Sequence, residues 1–366
     1  MIQRIRLTFV AARPPVFALL ASYAALGLAQ AGRPDAYRPL TEILVAVAGF
    51  LIFSVACNDL ADEAIDRVNL PGDPRRPLAG GGAQRSQLST TGAVGALAAL
   101  GASAALGLRA ALIVVLGLIL SAAYSLRPFR VCERGVLAPL LLPACYVAVP
   151  FLLGVDAARR PVTGSELVVL GGLYLGFIGR IVLKDFRDVR GDALFGKRTF
   201  LVRHGRRATC ALSAVCWGAG TVVVMIGSAR DTSNVPVSDL ILGTLATCSV
   251  LLIRALARST EHRRDERLIS AIAILGRGTI LILLAMYSVH AKAIAPILAL
   301  PLLPLLALLV LAQAAAMLGY GPRPRRSDLD RLLAAEAAEP SSSAVPVGAV
   351  SAASGHVLPV GDAQEP

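Results

Sequence analysis

Runs of about 20 apolar residues alternate along this chain with short clusters of charge, proline and glycine. A helix of that length rises about 30 Å, which matches the hydrocarbon core of a bilayer. The alternation predicts ten spans, at residues 14–30, 40–62, 87–108, 110–126, 136–154, 165–184, 207–228, 238–257, 268–290 and 293–318. Lipid offers backbone amides no hydrogen bonds, so each span must satisfy its own. The expected class is therefore all-α, a polytopic membrane helical bundle. The pattern stops at Gly319. Residues 319–366 are rich in Pro, Arg, Ser, Ala and Glu, with one short apolar stretch from Leu329 to Ala338, and read as a disordered tail without a catalytic role. The chain thus divides into an amino end (1–13), a membrane domain (14–290), an additional helix (293–318) and the tail.

Composition removes the soluble alternative. Of 366 residues, 55% are hydrophobic before 33 glycines are counted, and the mean hydropathy is +0.67. An average soluble protein reaches about 45–50% apolar only with glycine included. The net charge of +12 would suit nucleic acid, but basic residues on a membrane protein have another task, which is to hold loops on the cytoplasmic side. Of 36 lysines and arginines, 27 lie in the amino end, the loops after even-numbered spans and the tail, and 7 lie on the opposite side. That asymmetry makes the first side cytoplasmic and leaves nucleic acid without a role. Arg180 and Arg277 remain inside spans. The first span ends Ala29-Gln30-Ala31 behind Arg4, Arg6 and Arg13, which imitates a secretory signal with its cleavage site. The Arg13-Pro14-Pro15 start suits a retained helix instead. Six cysteines without a Cys-x-x-Cys pair and four scattered histidines give neither a disulfide framework nor a zinc site.

Two acidic clusters carry the chemistry. The second span ends Cys57-Asn58-Asp59-Leu60-Ala61-Asp62-Glu63-Ala64-Ile65-Asp66-Arg67. On a continuing helix Asn58, Asp62 and Asp66 form one stripe of oxygen ligands, with Asp59 adjoining it. Carboxylates in the last turns of a helix oppose its macrodipole and repel one another, so cations must compensate them. The sixth span ends Lys184-Asp185-Phe186-Arg187-Asp188-Val189-Arg190-Gly191-Asp192, where Asp185, Asp188 and Asp192 share a face. The charge count puts both clusters at cytoplasmic helix ends, each followed by a basic loop. Such a pair suits Mg²⁺, which takes a few carboxylates together with substrate phosphates. Taken singly, either cluster reads equally well as solvated loop charge.

The motifs Asn58-Asp59-x-x-Asp62-x-x-x-Asp66 with Arg76-Pro77-Leu78, and Lys184-Asp185-x-x-Asp188-x-x-Gly191-Asp192 with Gly196-Lys197-Arg198-Thr199, resemble the two aspartate-rich motifs of the UbiA superfamily of intramembrane prenyltransferases. Tyr124-Ser125-x-x-Pro128-Phe129-Arg130 resembles that family's Tyr-Ser-x-x-Pro loop. The resemblance covers roughly residues 10 to 290. It implies a nine-helix core around a central cavity, to which span ten and the tail are additions. It also implies a prenyl diphosphate bound through Mg²⁺ and a prenyl group transferred to an aromatic or other lipophilic acceptor. On that resemblance Asn58, Asp59, Asp62 and Asp66 hold one metal and Asp185, Asp188 and Asp192 the other. Lys184, Arg67 and Arg187 neutralise diphosphate oxygens.

In that chemistry the metals and cations stabilise the leaving diphosphate where its charge develops. The allylic cation left behind needs a dry cavity and aromatic faces, for which Tyr124 and Tyr146 are candidates. The expected catalytic set is Asp62, Asp66, Asp188, Lys184 and Tyr124. Arg127, Arg130 and Arg134 either hold an acceptor carboxylate or merely orient their loop. Arg180, one turn before Lys184, either faces the cavity or snorkels outward, and Arg277 needs a buried partner or a water-filled cavity. The expected partners are a prenyl diphosphate, a lipophilic or aromatic acceptor and membrane lipid, in a cell membrane with the site facing the cytoplasm. A terpene cyclase working without an acceptor is the enzyme alternative. A transporter is the alternative of another class, but transporter sites lie near the midplane on broken helices, whereas these acids gather at helix ends.

Overall fold

The computed structural model describes residues 2–69, 72–194, 196–231 and 236–322. The tail from residue 323 onward and the side chains of Asp188 and Asp192 lie outside the described residues. A bent pair opens the chain. Helix α1 (Ile2–Ala11) meets α2 (Pro14–Gln30) at 57°, and the bend sits at Arg13, whose φ is 40°. Pro14 and Pro15 follow it in the first turn of α2, where a missing amide hydrogen is harmless. Then come α3 (Tyr37–Ala61), the short α4 (Glu63–Asn69), α5 (Arg85–Leu106) and α6 (Leu108–Ser125). Helices α7 (Leu137–Pro143) and α8 (Val149–Asp156) are joined through a π turn, Ala144–Ala148, directly after Pro143. Proline is an ordinary cause of such a disturbance, since its ring cannot continue the hydrogen-bond ladder. The second half holds α9 (Gly164–Ile181), α10 (Asp185–Leu194), α11 (Phe200–Asp231), α12 (Pro236–Arg258), α13 (His262–His290) and α14 (Pro296–Tyr320).

Among the described residues nine helices are long and apolar enough to cross a membrane, and the α1–α2 pair makes a tenth when counted as one. Each of the ten expected spans therefore has a helix. One expectation needs correction. The second span does not continue as one helix through its acidic stripe: α3 stops at Ala61, and Asp62, with φ −104° and ψ 14°, separates it from α4. Backbone hydrogen bonds from Asp62 N–H to the Asn58 carbonyl (2.9 Å) and from Asp66 N–H to the Asp62 carbonyl (2.8 Å) still bridge the break. The seventh span follows a kink at Gly205 (φ 76°, ψ 174°), with a further helical turn before it from Phe200, so the expected start at residue 207 holds.

Helices approach closely where glycine faces backbone. A side chain at Gly49 on α3 would collide with the Gly95 carbonyl of α5, and one at Gly220 on α11 would come within 2.7 Å of the Gly172 carbonyl of α9. Small residues at such seams let dispersion act across whole helix faces, the main attraction left between helices already in lipid. Buried clusters fill the remaining space, and two are the largest. One gathers Leu20, Ile43, Phe50 and Leu153 around α2, α3 and α8; the other runs from Tyr23 and Phe151 to Leu242 and Leu283. Leu97, Leu112, Leu116 and Ile119 project outward from α5 and α6, as lipid-facing positions do.

Candidate active site

The first acidic stripe faces inward on both sides of the break after Ala61. Asp59, Asp62 and Asp66 are only 2%, 6% and 6% exposed, a placement carboxylates tolerate only with partners. Cations come from three separate segments. Arg13, at the α1–α2 bend, donates to Asp59 at 2.7 Å. Arg76, in the loop after α4, pairs with Asp59 through Nη1 and lies 3.1 Å from Asp66 Oδ2 through the same nitrogen. Arg130, after α6, donates to Asp62 Oδ1 at 2.9 Å, to Glu133 at 2.5 Å and to the Ala61 carbonyl at 3.2 Å. Asn58 donates from its amide to Asp62 Oδ2 at 3.0 Å. Burial pushes the Asp66 carboxyl up to about 6 against the pull of Arg76, with Asp59 and Asp62 adding to the rise.

The second acidic segment reaches the same end of the bundle. Helix α10 packs against α4. The loop after α6 and the loop after α10 form a two-residue parallel ladder, β1 (Arg134–Gly135) with β2 (Arg198–Thr199). Lys197, beside β2, places its Nζ 3.9 Å from Asp62 Oδ2, a direct link between the two motif regions. Tyr124 lies within electrostatic reach of both Asp62 and Asp185. Deeper in the bundle, Tyr146 shares a hydrogen bond with Ser54 at 3.3 Å, and its ring centroid lies 6.3 Å from that of Phe177.

Among the described residues no three Asp, Glu, His or Cys side chains converge as a ready-made metal cage. Asp59 and Asp66 instead share the Arg76 guanidinium. The donor set is carboxylate and amide oxygen, which suits a hard cation that completes its shell with substrate oxygens.

The other anticipated residues fall into two groups. Asp185 is half-buried and Lys184 exposed at the motif end of α9. Arg187 donates to Ser270 of α13 at 3.1 Å. Arg67 pairs with Glu63 at 2.7 Å and remains 62% exposed, outside the contacts of the stripe. Arg130 is engaged with Asp62 and Glu133, while Arg127 lines an outer cleft of about 510 Å³ with Arg85 and Ser89. Arg13 was missed as a site residue because 46 positions separate it from Asp59; its place before Pro14-Pro15 was the only local signal.

The sequence pattern of the UbiA prenyltransferase family matches residues 18–270, most of the chain. The chain belongs to that family. A UbiA relative, the bacteriochlorophyll synthase 34 kDa chain of Chloroflexus aurantiacus, is 33% identical over 172 residues, covering 47% of this chain and 54% of that protein. The match thus spans about half the length of that relative. A solved structure of digeranylgeranylglyceryl phosphate synthase is similar with TM-score 0.61 and 14% identity, over 78% of this chain and 98% of that one. A UbiA homologue from Archaeoglobus fulgidus, described as bound to GPP and Mg²⁺, has TM-score 0.58 and 14% identity over 77% of this chain and 99% of that one. At such identity the likeness shows the UbiA fold.

Proposed function

We propose that this UbiA-family chain is an Mg²⁺-dependent intramembrane prenyltransferase. It ionises a prenyl diphosphate and transfers the prenyl group to an aromatic or other lipophilic acceptor. The observation that carries this reading is the meeting of two acidic segments at one end of the bundle, joined by the β1–β2 ladder and by Lys197 beside Asp62. Membership in the family and the GPP and Mg²⁺ bound by the Archaeoglobus homologue support it. Asn58, Asp59, Asp62 and Asp66 would hold one Mg²⁺, and Asp185, Asp188 and Asp192 a second. Bound there, Mg²⁺ supplies charge stabilisation of the leaving diphosphate.

This chain's own residues supply the rest. Arg76 and Lys197 already lie against the acids, and diphosphate oxygens offer them alternative partners, so substrate entry exchanges internal ion pairs for substrate ones. Lys184 and Arg187 stand beside the second motif as further counter-charges. Tyr124, Tyr146 and Phe177 would offer ring faces to an allylic cation, and the helices packed around them would keep water from it. The cytoplasmic orientation of this end, in a cell membrane, rests on the 27 to 7 distribution of basic residues.

The test is product analysis. Purified protein in lipid, given Mg²⁺, prenyl diphosphates of several lengths and a panel of ring acceptors, should yield prenylated acceptor by mass spectrometry. Rapid diphosphate release with a cyclic hydrocarbon or alcohol, in the absence of any acceptor, would make the chain a cyclase instead.

A further inference from the structure

One half-buried guanidinium lacks the ion pairs that Asp59, Asp62 and Asp66 receive at the motif end. Arg180 lies on α9 one turn before Lys184 and lines a recess of about 50 Å³ between α2, α9, α11 and α13, with Tyr23, Gly176, Phe177, Trp217 and Gly276. Its Cζ sits 5.9 Å from the centroid of the Phe177 ring. Among the described residues it makes no hydrogen bond and no ion pair. The groups that act on it electrostatically are two further cations, Arg277 and Arg187, and the phenol of Tyr23, which lines the same recess. The two threonines of the recess give their hydroxyls to their own helices, Thr221 to the Trp217 carbonyl at 3.0 Å and Thr279 to the Leu275 carbonyl at 3.1 Å. A charge inside a membrane bundle is expensive and is retained where something of opposite sign meets it.

We propose that Arg180 is the receptor for a carboxylate carried by the prenyl acceptor, with the Tyr23 hydroxyl as a second donor. The assignment rests on the prenyltransferase reading and names the acceptor class for it. Three features point this way. A planar guanidinium matches a carboxylate bidentately. The recess presents one guanidinium and one phenol, a donor set that two carboxylate oxygens satisfy and the three oxygens of a phosphate monoester do not. It also has room for a carboxylate but not for a ring, so an acceptor anchored there extends its ring out of the recess. Asp185 begins about one turn farther along the same segment, which brings that ring toward the carbon to be attacked. Arg130, the loop candidate for this task, is already engaged by Asp62 and Glu133.

The glycine seam makes the recess. A Cβ built at Gly176 meets nothing within 4 Å, so a larger residue there would fill the space while leaving Arg180 unchanged. The chain's single tryptophan, Trp217, lines the same recess and reports on its occupancy. The experiment titrates full-length protein in lipid nanodiscs with 4-hydroxybenzoate, homogentisate and 1,4-dihydroxy-2-naphthoate, each beside its methyl ester, and with phenyl phosphate. Trp217 emission, corrected for absorbance, is the readout. At least one acid should bind about tenfold or more tightly than its ester, since the ester leaves the guanidinium unpaired. Arg180→Gln should abolish that preference, Arg180→Lys should keep part of it, and Gly176→Val should weaken the acid with Arg180 in place. Equal binding of every acid and its ester overturns the assignment. So does a preference that survives in Arg180→Gln, or tighter binding of phenyl phosphate than of any acid. Mg²⁺-dependent binding of geranylgeranyl diphosphate by the wild-type protein, measured separately, tests the prenyltransferase reading on its own.

Discussion

The motif end of the bundle and its interior balance charge in opposite ways. At the motif end Asp59, Asp62 and Asp66 are nearly inaccessible, yet each meets a guanidinium, and Asp59 meets two. Roughly one turn into the bundle from Lys184, Arg180 has around it two further arginines and a phenol. A buried acid with internal partners is stable while no substrate is bound, and binding must trade those partners for others. An unbalanced cation gains its counter-charge only on binding. The first arrangement suits a group that is charged throughout the cycle; the second suits recognition of a particular substituent.

The largest expected effect breaks the first half of that contrast. Removing Mg²⁺ with EDTA should abolish prenyl transfer, with recovery on adding the metal back. Asp62→Ala should lower kcat by about 100-fold or more while the protein stays folded, as removal of a metal-holding group does. Full turnover by Asp62→Ala would mean that the paired acids are structural.

A smaller effect separates pairing that serves chemistry from pairing that serves the fold. Arg76→Gln withdraws the guanidinium shared by Asp59 and Asp66 and should lower stability by about 3 kcal/mol, the scale of a broken buried pair, along with activity. Arg160 and Glu166 are paired at the end of α9 opposite the motifs, with Nη1 donating to Oε2 at 3.2 Å. Arg160→Gln should lower stability by about 1–2 kcal/mol yet leave turnover per folded molecule intact. Thermal unfolding beside specific activity distinguishes the two variants, and equal activity losses would erase the distinction.

The last prediction concerns sidedness and changes no energy at all. A cysteine replacing Arg75 or Lys197 should be labelled by an impermeant maleimide from the cytoplasmic side, and one replacing Arg159 from the outside. The reverse pattern would move the whole motif end to the other face.

What could be read in the sequence depended on the range of the interaction. The ten spans were legible because lipid imposes a fixed length of apolar residues, and each has its helix. The acidic stripe was legible because i, i+4 spacing survives the break at Asp62 through its backbone hydrogen bonds. The break was not, since nothing in Ala61-Asp62-Glu63 forbids a helix. Partner choice was not legible either. Arg67 takes Glu63, four residues back, rather than the stripe, while Arg13 and Arg130 reach Asp59 and Asp62 across 46 and 68 positions. The β1–β2 ladder involves four residues with no strand pattern, and the recess at Arg180 follows from glycines whose effect depends on which helix they face.

That ladder also bears on how the protein is made. Its two halves, Arg134–Gly135 and Arg198–Thr199, are separated by an interval that includes all of the fifth and sixth spans. A ribosome-bound chain therefore cannot close the site until Thr199 has emerged. By then the first acids already have local company, because Arg13 and Arg76 are both synthesised before α5. The half-finished chain can enter the membrane with its carboxylates neutralised and its chemistry absent, and acquires a complete site only in the second half of its synthesis.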